Sequence, residues 1–192
     1  MKRRTLLLAT LPASAFANTP PRLKAGVFEP AQTAPAFTLK GSDGAPLTLA
    51  RFKGRLVLLT FGFTNCPEVC PTTLATLAQA RKDLGAAAAD VQVVYVTVDP
   101  ERDSPARIRQ YLGAFDSAFI GGTDTPDQLA AMRKRYGIVA EKIPTPQPNA
   151  YGMNHSTSVF IIDRSGRLKA MMPYGHPAKD FVHDVKLLLA AR

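Results

Sequence analysis

Three stretches of the chain are almost entirely apolar and are separated by polar, turn-forming residues. They cover residues 55–63, 91–98 and 158–163. Continuous apolar runs of this length are typical of strands that are buried on both faces of a sheet. A fourth run, residues 168–172, follows the third after a short Gly-containing turn at residues 164–166, and this spacing predicts an antiparallel pair.

Helical periodicity follows the first apolar run. Apolar residues recur every three or four positions from Pro71 onward, which predicts a helix that ends near Gly85. Ser104 and Pro105 are the residue types favoured at the cap and the first position of a helix, so a second helix is expected to begin there. Two further helices are predicted, over residues 126–136 and 177–190.

Alternating strands and helices predict an α/β fold, a mixed central sheet flanked by helices. Residues 37–49 add an N-terminal β-hairpin, because two short apolar–polar runs flank an Asp43-Gly44 turn. A short strand is expected around residues 119–121, an extended segment over residues 137–143, and a Pro- and Asn-containing loop over residues 144–154. The 192 residues suffice for one domain, which we place at residues 34–192 after a flexible, Pro-rich leader at residues 18–33.

The first 17 residues have the three parts of a secretory signal peptide. A basic start at residues 2–4 precedes a short apolar stretch and an Ala-x-Ala ending at Ala15 and Ala17. The apolar stretch is far shorter than the roughly 20 residues that a membrane span needs. We therefore expect an exported, periplasmic protein that is soluble after cleavage, with the Sec and twin-arginine routes both open.

The net charge is +9, and the basic residues are spread along the chain without interleaved aromatic residues. This distribution favours acidic partners or anionic surfaces over nucleic acid. We expect no nucleic-acid binding, and we expect a monomer.

The chain has two cysteines, Cys66 and Cys70, at the predicted junction between a strand and a helix. Backbone N–H groups at such a junction favour thiolate, so a lowered thiol pKa is expected. In an oxidising compartment the pair could form a structural disulfide, but a bridge across so short a loop contributes little stability. The pair is therefore more consistent with a reactive or metal-binding role than with a structural disulfide.

The three residues between the cysteines leave room for both sulfurs to face a metal ion, on one side of a helical turn. Two thiolates suit a soft ion such as Cu(I), whereas zinc would need further ligands. A third ligand could come from three histidines. His183 reads as a solvated helix residue and His176 as part of a local turn, whereas His155 ends the 144–154 loop directly before a buried strand. Whether His155 is a ligand stays open at this point.

Two other groups of residues have simpler interpretations than metal binding. The acidic residues of the segment 99–103 are expected to cap and solvate the helix that follows, near the cysteines at the same edge of the sheet. Met153 is a conceivable soft ligand, but methionine also fills core positions.

Three blocks of sequence, residues 60–74, 98–105 and 151–156, resemble the Sco/SenC family in order and spacing, and the resemblance covers about residues 30–190. It implies a thioredoxin-like fold and a copper metallochaperone of cytochrome oxidase assembly. By position, it implies that Cys66 and Cys70 are thiolate ligands and that His155 is the imidazole ligand. The family commonly has Asp where this chain has Asn154, and many of its members keep a membrane anchor.

Two functions from different classes follow. In the first, the protein carries copper, as Cu(I) or Cu(II), from a periplasmic donor to the binuclear copper site of an oxidase subunit, and it depends on a thiol reductant. In the second, Cys66 and Cys70 form a redox pair that reduces the cysteines of that oxidase site. A peroxide-reducing activity is a weaker third alternative.

Overall fold

The computed structural model describes residues 22–146 and 151–191, so the predicted signal peptide lies outside the described residues. The helices in this part of the chain are α1 (Val69–Leu84), α2 (Pro105–Gly113), α3 (Pro126–Tyr136) and α4 (Ala178–Ala190), with short 3-10 helices at Leu49–Phe52 and Gly85–Asp90. The strands are β1 (Gly26–Thr33), β2 (Thr38–Gly41), β3 (Pro46–Thr48), β4 (Leu56–Gly62), β5 (Val91–Thr97), β6 (Ile120–Thr123), β7 (Ala140–Pro144), β8 (Tyr151–His155), β9 (Val159–Ile162) and β10 (Arg167–Met172).

Eight of these strands form one mixed sheet in the order β1-β10-β9-β4-β5-β6-β2-β3. The central strands β4, β5 and β6 are parallel, whereas β9 is antiparallel to β4. β7 and β8 pair with each other in a separate antiparallel ribbon. The predicted mixed sheet is confirmed, and so is the N-terminal hairpin of β2 and β3 around Gly44, whose φ of 88° suits glycine.

The two central strands are buried along their whole length, as their apolar runs predict. Alternate residues of each strand point to opposite faces of the sheet. Leu129 and Met132 of α3 pack on one face. The other face is covered by apolar residues of α1, α2 and α4, namely Leu74, Leu77, Ile108, Leu112, Phe181 and Val185. The result is a three-layer α/β arrangement.

Helix boundaries agree with the predictions except at the starts of α1 and α4, the latter beginning at Ala178 with Pro177 as its N-cap. Ser104 caps α2 by accepting a hydrogen bond from the Arg107 N–H, with Pro105 in the first turn. α1 begins at Val69, two residues before the predicted Pro71. Proline is tolerated at this third position because the first N–H groups of a helix have no intrahelical partner.

The sequence prediction was wrong for two segments. Gly26–Thr33, assigned to the flexible leader, forms β1 at the edge of the sheet against β10. Pro30 lies in a bulge of this edge strand, where a missing N–H removes no bond of the ladder. Residues 151–154, assigned to a loop, belong to β8 because β7 supplies the partner that a lone strand needs. No helix among the described residues is long and apolar enough to cross a membrane.

Asp184 of α4 holds the residues that lead into β1. Its carboxylate is fully buried and accepts hydrogen bonds from the N–H groups of Lys24 and Ala25, at 2.7 and 2.8 Å. A buried carboxylate is tolerated only when such donors replace water. The N-terminal segment is therefore held against the body of the domain by a charged group on its last helix.

We expect Asp184→Ala to lower the free energy of unfolding by about 2 kcal/mol, because two amide donors lose their acceptor. Urea denaturation followed by circular dichroism measures the change. Lys186→Ala, at an exposed position of the same helix, is the control and should change stability little. Equal stability of the two variants would contradict this role of Asp184.

Candidate metal centre

The topology of the sheet brings two distant segments together at one edge. β9 runs antiparallel to β4, with Thr60 opposite Val159, so the chain entering β9 lies beside the chain leaving β4. The segment after β4 contains both cysteines, and His155 lies four residues before Val159. Residues that are 85 positions apart in the sequence therefore meet.

Cys66 lies in a turn before α1, and Cys70 lies in the first turn of that helix. The Cys66 N–H donates to the carbonyl oxygen of Phe63 at 3.2 Å, and the Cys70 N–H donates to the Cys66 sulfur at 3.4 Å. Both are free thiols, Cys70 buried and Cys66 partly exposed. Only Cys70 belongs to the helix, whereas Cys66 precedes it, so the two residues do not share a helical turn as predicted. Their sulfurs still lie near each other, because the turn that carries Cys66 folds back over the start of α1.

The last residue of β8 directs its imidazole at this turn. Nε2 of His155 lies 3.4 Å from the sulfur of Cys70, and Nδ1 lies 2.8 Å from the carbonyl oxygen of Ser156. A carbonyl can only accept, so Nδ1 carries the proton and Nε2 presents its lone pair. Burial lowers the pKa of His155, which favours this neutral form. Phe63 packs edge-on against the ring, with centroids 5.7 Å apart.

The two sulfurs and Nε2 lie within 4.8 Å of one another. Small rotations of the side chains would bring all three within bonding distance of one ion. Two soft thiolates and one imidazole suit Cu(I) better than a hard cation, and three protein ligands fall one short of a closed structural zinc site. The donor set therefore fits copper.

Burial also acts on the inner thiol. It raises the pKa of Cys70 to about 12. The expectation of a lowered thiol pKa is therefore wrong for Cys70 in the metal-free site. The loss of hydration outweighs the favourable backbone at the start of α1, because few water molecules reach this sulfur.

Known proteins resemble this chain in sequence and in fold. The family model described as SCO1/SenC matches residues 26–190. The chain belongs to the SCO1/SenC family. The mitochondrial SCO2 homolog of Mus musculus is 31% identical over 157 residues, which cover 81% of this chain and 62% of the mouse protein. The chain spans about three-fifths of the length of the curated relatives that it matches first.

Solved structures of SCO1/SenC proteins share the fold. Bradyrhizobium japonicum ScoI with copper bound superposes with a TM-score of 0.75 at 32% identity, over 81% of this chain and 98% of that one. Apo Sco1 from Thermus thermophilus gives a TM-score of 0.78 at 32% identity, over 87% of this chain and 97% of that one. The thioredoxin-like fold that the resemblance implied is confirmed.

A buried carboxylate supports the cysteine turn of this SCO1/SenC protein. Asp103 is fully buried and accepts hydrogen bonds from the Thr64 N–H at 3.0 Å, the Thr64 hydroxyl at 2.6 Å and the Thr97 hydroxyl at 2.6 Å. The predicted role of solvating the next helix is wrong for Asp103 and for Asp99, which is also buried. Asp103 instead ties the ends of β4 and β5 together.

Asp99 and Arg102 hold the ribbon that carries His155. The two residues form an ion pair, and Arg102 donates to the carbonyl oxygen of Tyr151 at 2.9 Å. Its guanidinium also stacks 3.9 Å from the centroid of the Tyr151 ring, while the Tyr151 hydroxyl donates to Asp99 at 2.7 Å. We name Asp99, Arg102 and Tyr151 the ribbon clamp. Sequence reasoning missed it, although the joint presence of blocks 98–105 and 151–156 was the available signal.

The other candidate residues lie elsewhere. Nδ1 of His176 and Nδ1 of His183 are each 2.9 Å from a carboxylate, that of Asp180 and that of Asp184. Met153 packs against the apolar core. Asn154 is exposed, and strand alternation places it on the face of β8 opposite to His155. The Asn-for-Asp departure from the family therefore lies outside the donor set.

We expect Arg102→Lys to loosen the ribbon, because lysine keeps the charge but loses the planar stack and the fork of donors. A hydrogen bond from a charged group contributes about 1.5 kcal/mol, so amide hydrogen exchange in β8 should become about 10-fold faster while that of α3 stays unchanged. Lys142→Gln is the control, since Lys142 also faces Tyr151 but is half exposed. Unchanged exchange in Arg102→Lys, or an equal effect in Lys142→Gln, would refute the clamp.

Proposed function

We propose that this protein is a copper metallochaperone that binds one copper ion through Cys66, Cys70 and His155. The observation that carries the proposal is the convergence of two sulfurs and one imidazole nitrogen within 4.8 Å, from segments that the topology alone brings together. The copper held by ScoI of Bradyrhizobium japonicum, which shares fold and family with this chain, supports the choice of metal. Copper is here the cargo of the protein.

The arrangement suits transfer as well as binding. Cys66 is partly exposed, whereas Cys70 is buried, so an incoming ligand can reach the metal from the side of Cys66. A site with three protein ligands also leaves a coordination position for the acceptor. We place the acceptor at the binuclear copper site of a respiratory cytochrome oxidase subunit, as the resemblance to the Sco/SenC family implies. A copper donor and a thiol reductant complete the cycle, because a disulfide between the two cysteines could not bind the ion.

His155 favours the carrier over the alternative, a thiol–disulfide oxidoreductase. A dithiol reductant needs its two sulfurs and a route for the incoming disulfide. It does not need an imidazole from a distant ribbon. In this structure the His155 imidazole donates from Nδ1 to a carbonyl oxygen, which leaves the Nε2 lone pair directed at the Cys70 sulfur. A hydrogen bond from the other ring nitrogen to a carbonyl is the arrangement by which proteins orient metal-binding histidines.

We place the protein in the periplasm after removal of residues 1–17. The basic start, short apolar stretch and Ala-x-Ala ending of this segment support export. A periplasmic location agrees with the need for a reductant, because thiols are oxidised in that compartment.

Anaerobic titration of the reduced protein with Cu(I) should show one ion bound per chain. Copper binding should be weakened at least about 10-fold in each of three variants, Cys66→Ser, Cys70→Ser and His155→Ala, because each variant removes one of the proposed ligands. His176→Ala is the matched control, since it removes an imidazole near the same end of the sheet that is paired with Asp180, and it should bind like the wild type.

The same variants separate the two functions. Reduction of a model disulfide should be lost in both cysteine variants and kept in His155→Ala if the thiols alone do this chemistry. Absence of copper binding in the reduced wild type, or full binding in all three ligand variants, would contradict the carrier.

Export is tested by expressing the full chain in a Gram-negative host and measuring the mass of the protein in the periplasmic fraction. We expect a chain that begins at Asn18. Replacing Ala15 and Ala17 by Leu should leave the uncleaved precursor with the membrane, because the peptidase requires small residues there. A full-length wild-type chain confined to the cytoplasmic fraction would refute export.

A further inference from the structure

Tyr95 carries a polar group for which the structure offers no ordinary partner. It lies in the centre of β5 and is 1% exposed. Its hydroxyl is buried and meets the geometry of a hydrogen bond with no group within residues 22–146 and 151–191, and the Cys70 thiol beside it is the candidate acceptor. A buried hydroxyl without a partner costs about 1–3 kcal/mol, so a phenylalanine would be the more stable choice for packing alone. The hydroxyl therefore calls for an explanation outside the folding of the metal-free chain.

The hydroxyl points at the inner metal ligand. Gly62, the last residue of β4, leaves the space in which the two groups approach each other. A Cβ atom built on Gly62 would lie 2.6 Å from the Tyr95 hydroxyl oxygen and 2.8 Å from the Cys70 sulfur. Gly62 does not have a positive φ, so glycine is required here for space and not for backbone conformation.

Tyr95 and Cys70 line a small cavity of about 10 Å³, together with His155 and Thr157. This volume is at the lower limit for one water molecule. The phenol and the sulfur thus share a narrow space beside His155, in a cavity that Cys66 does not line.

We propose that Tyr95 is a positioning residue of the metal site, whose hydroxyl donates a hydrogen bond to the Cys70 thiolate when copper is bound. This inference rests on the proposed copper site. A neutral thiol is a weak acceptor, whereas a thiolate is a strong one, so the bond forms when the metal replaces the proton of Cys70. The phenol keeps its own proton at neutral pH, since phenols ionise near pH 10.

Such a bond favours one oxidation state of the metal. A thiolate gives more of its electron density to Cu(II) than to Cu(I), so the sulfur is more negative and accepts the stronger hydrogen bond in the Cu(I) form. Hydrogen bonds to a ligating sulfur are among the means by which proteins set the potential of copper. Tyr95 therefore stabilises the Cu(I) form relative to the Cu(II) form.

The test compares Tyr95→Phe with Tyr111→Phe in the full reduced protein. Tyr111 is the matched control, because its hydroxyl is also buried without a partner in the described chain and its ring lies 6.1 Å from that of Tyr95, but it does not line the cavity. Tyr95→Phe should weaken Cu(I) binding about 10-fold and Cu(II) binding less. It should also move the sulfur-to-Cu(II) absorption band to longer wavelength, because the sulfur electrons rise in energy.

Thermal unfolding provides a second readout, and its metal-free part does not depend on copper affinity. Thermal unfolding of the metal-free Tyr95→Phe protein should match or exceed that of the wild type, since an orphaned hydroxyl is removed, while the stabilisation that Cu(I) adds should be smaller. Tyr111→Phe should keep the wild-type absorption band and Cu(I)-induced stabilisation.

An absorption band and a ratio of Cu(I) to Cu(II) affinities equal to those of the wild type in Tyr95→Phe would overturn this inference and leave the copper site intact. Equal shifts in Tyr111→Phe would also overturn it, because the effect would then not depend on contact with Cys70. Failure of the wild type to bind copper would instead refute the proposed function itself.

Discussion

The candidate metal centre depends on the antiparallel pairing of β9 with β4. This register sets Thr60 opposite Val159, and it is the reason that the chain entering β9 meets the chain leaving β4. Were β9 parallel to β4, the segment before it would lie at the opposite end of the sheet, and His155 would be far from both sulfurs. The direction of one buried strand therefore decides whether the three candidate ligands can meet.

Two buried carboxylates then hold in place the segments that the topology brings together. Asp103 joins the ends of β4 and β5 through the two threonines Thr64 and Thr97. Asp99 joins the β5 end to the ribbon through Arg102 and Tyr151. Each carboxylate is tolerated inside the protein because hydrogen bonds replace its lost hydration. The segment between these two aspartates is thus a brace between the cysteine turn and the histidine ribbon.

The sequence predicted those parts of the structure that depend on local pattern. The strands β4 and β5 are predicted by their continuous apolar runs, which are buried in the structure. The start of α2 is predicted by the capping preferences of Ser104 and Pro105. β8 has no such signal, because polar and apolar residues do not alternate regularly along Tyr151–His155. The segment forms a strand because it pairs with β7. The same holds for β1, whose partner β10 lies more than 130 residues away. From its position alone the role of His155 stayed open, and only a family resemblance pointed to it.

The burial of the three donors differs, and this difference has a consequence for transfer. Cys70 is buried and His155 half-buried, so both are held by the packed interior, whereas Cys66 belongs to a turn that solvent can reach. In the proposed transfer, the outer sulfur is the ligand most readily exchanged, and the inner pair retains the ion while an acceptor enters. A site with all three ligands buried would bind well but could not pass its metal on. The uneven burial thus fits the proposed copper carrier, which must both hold its ion and release it.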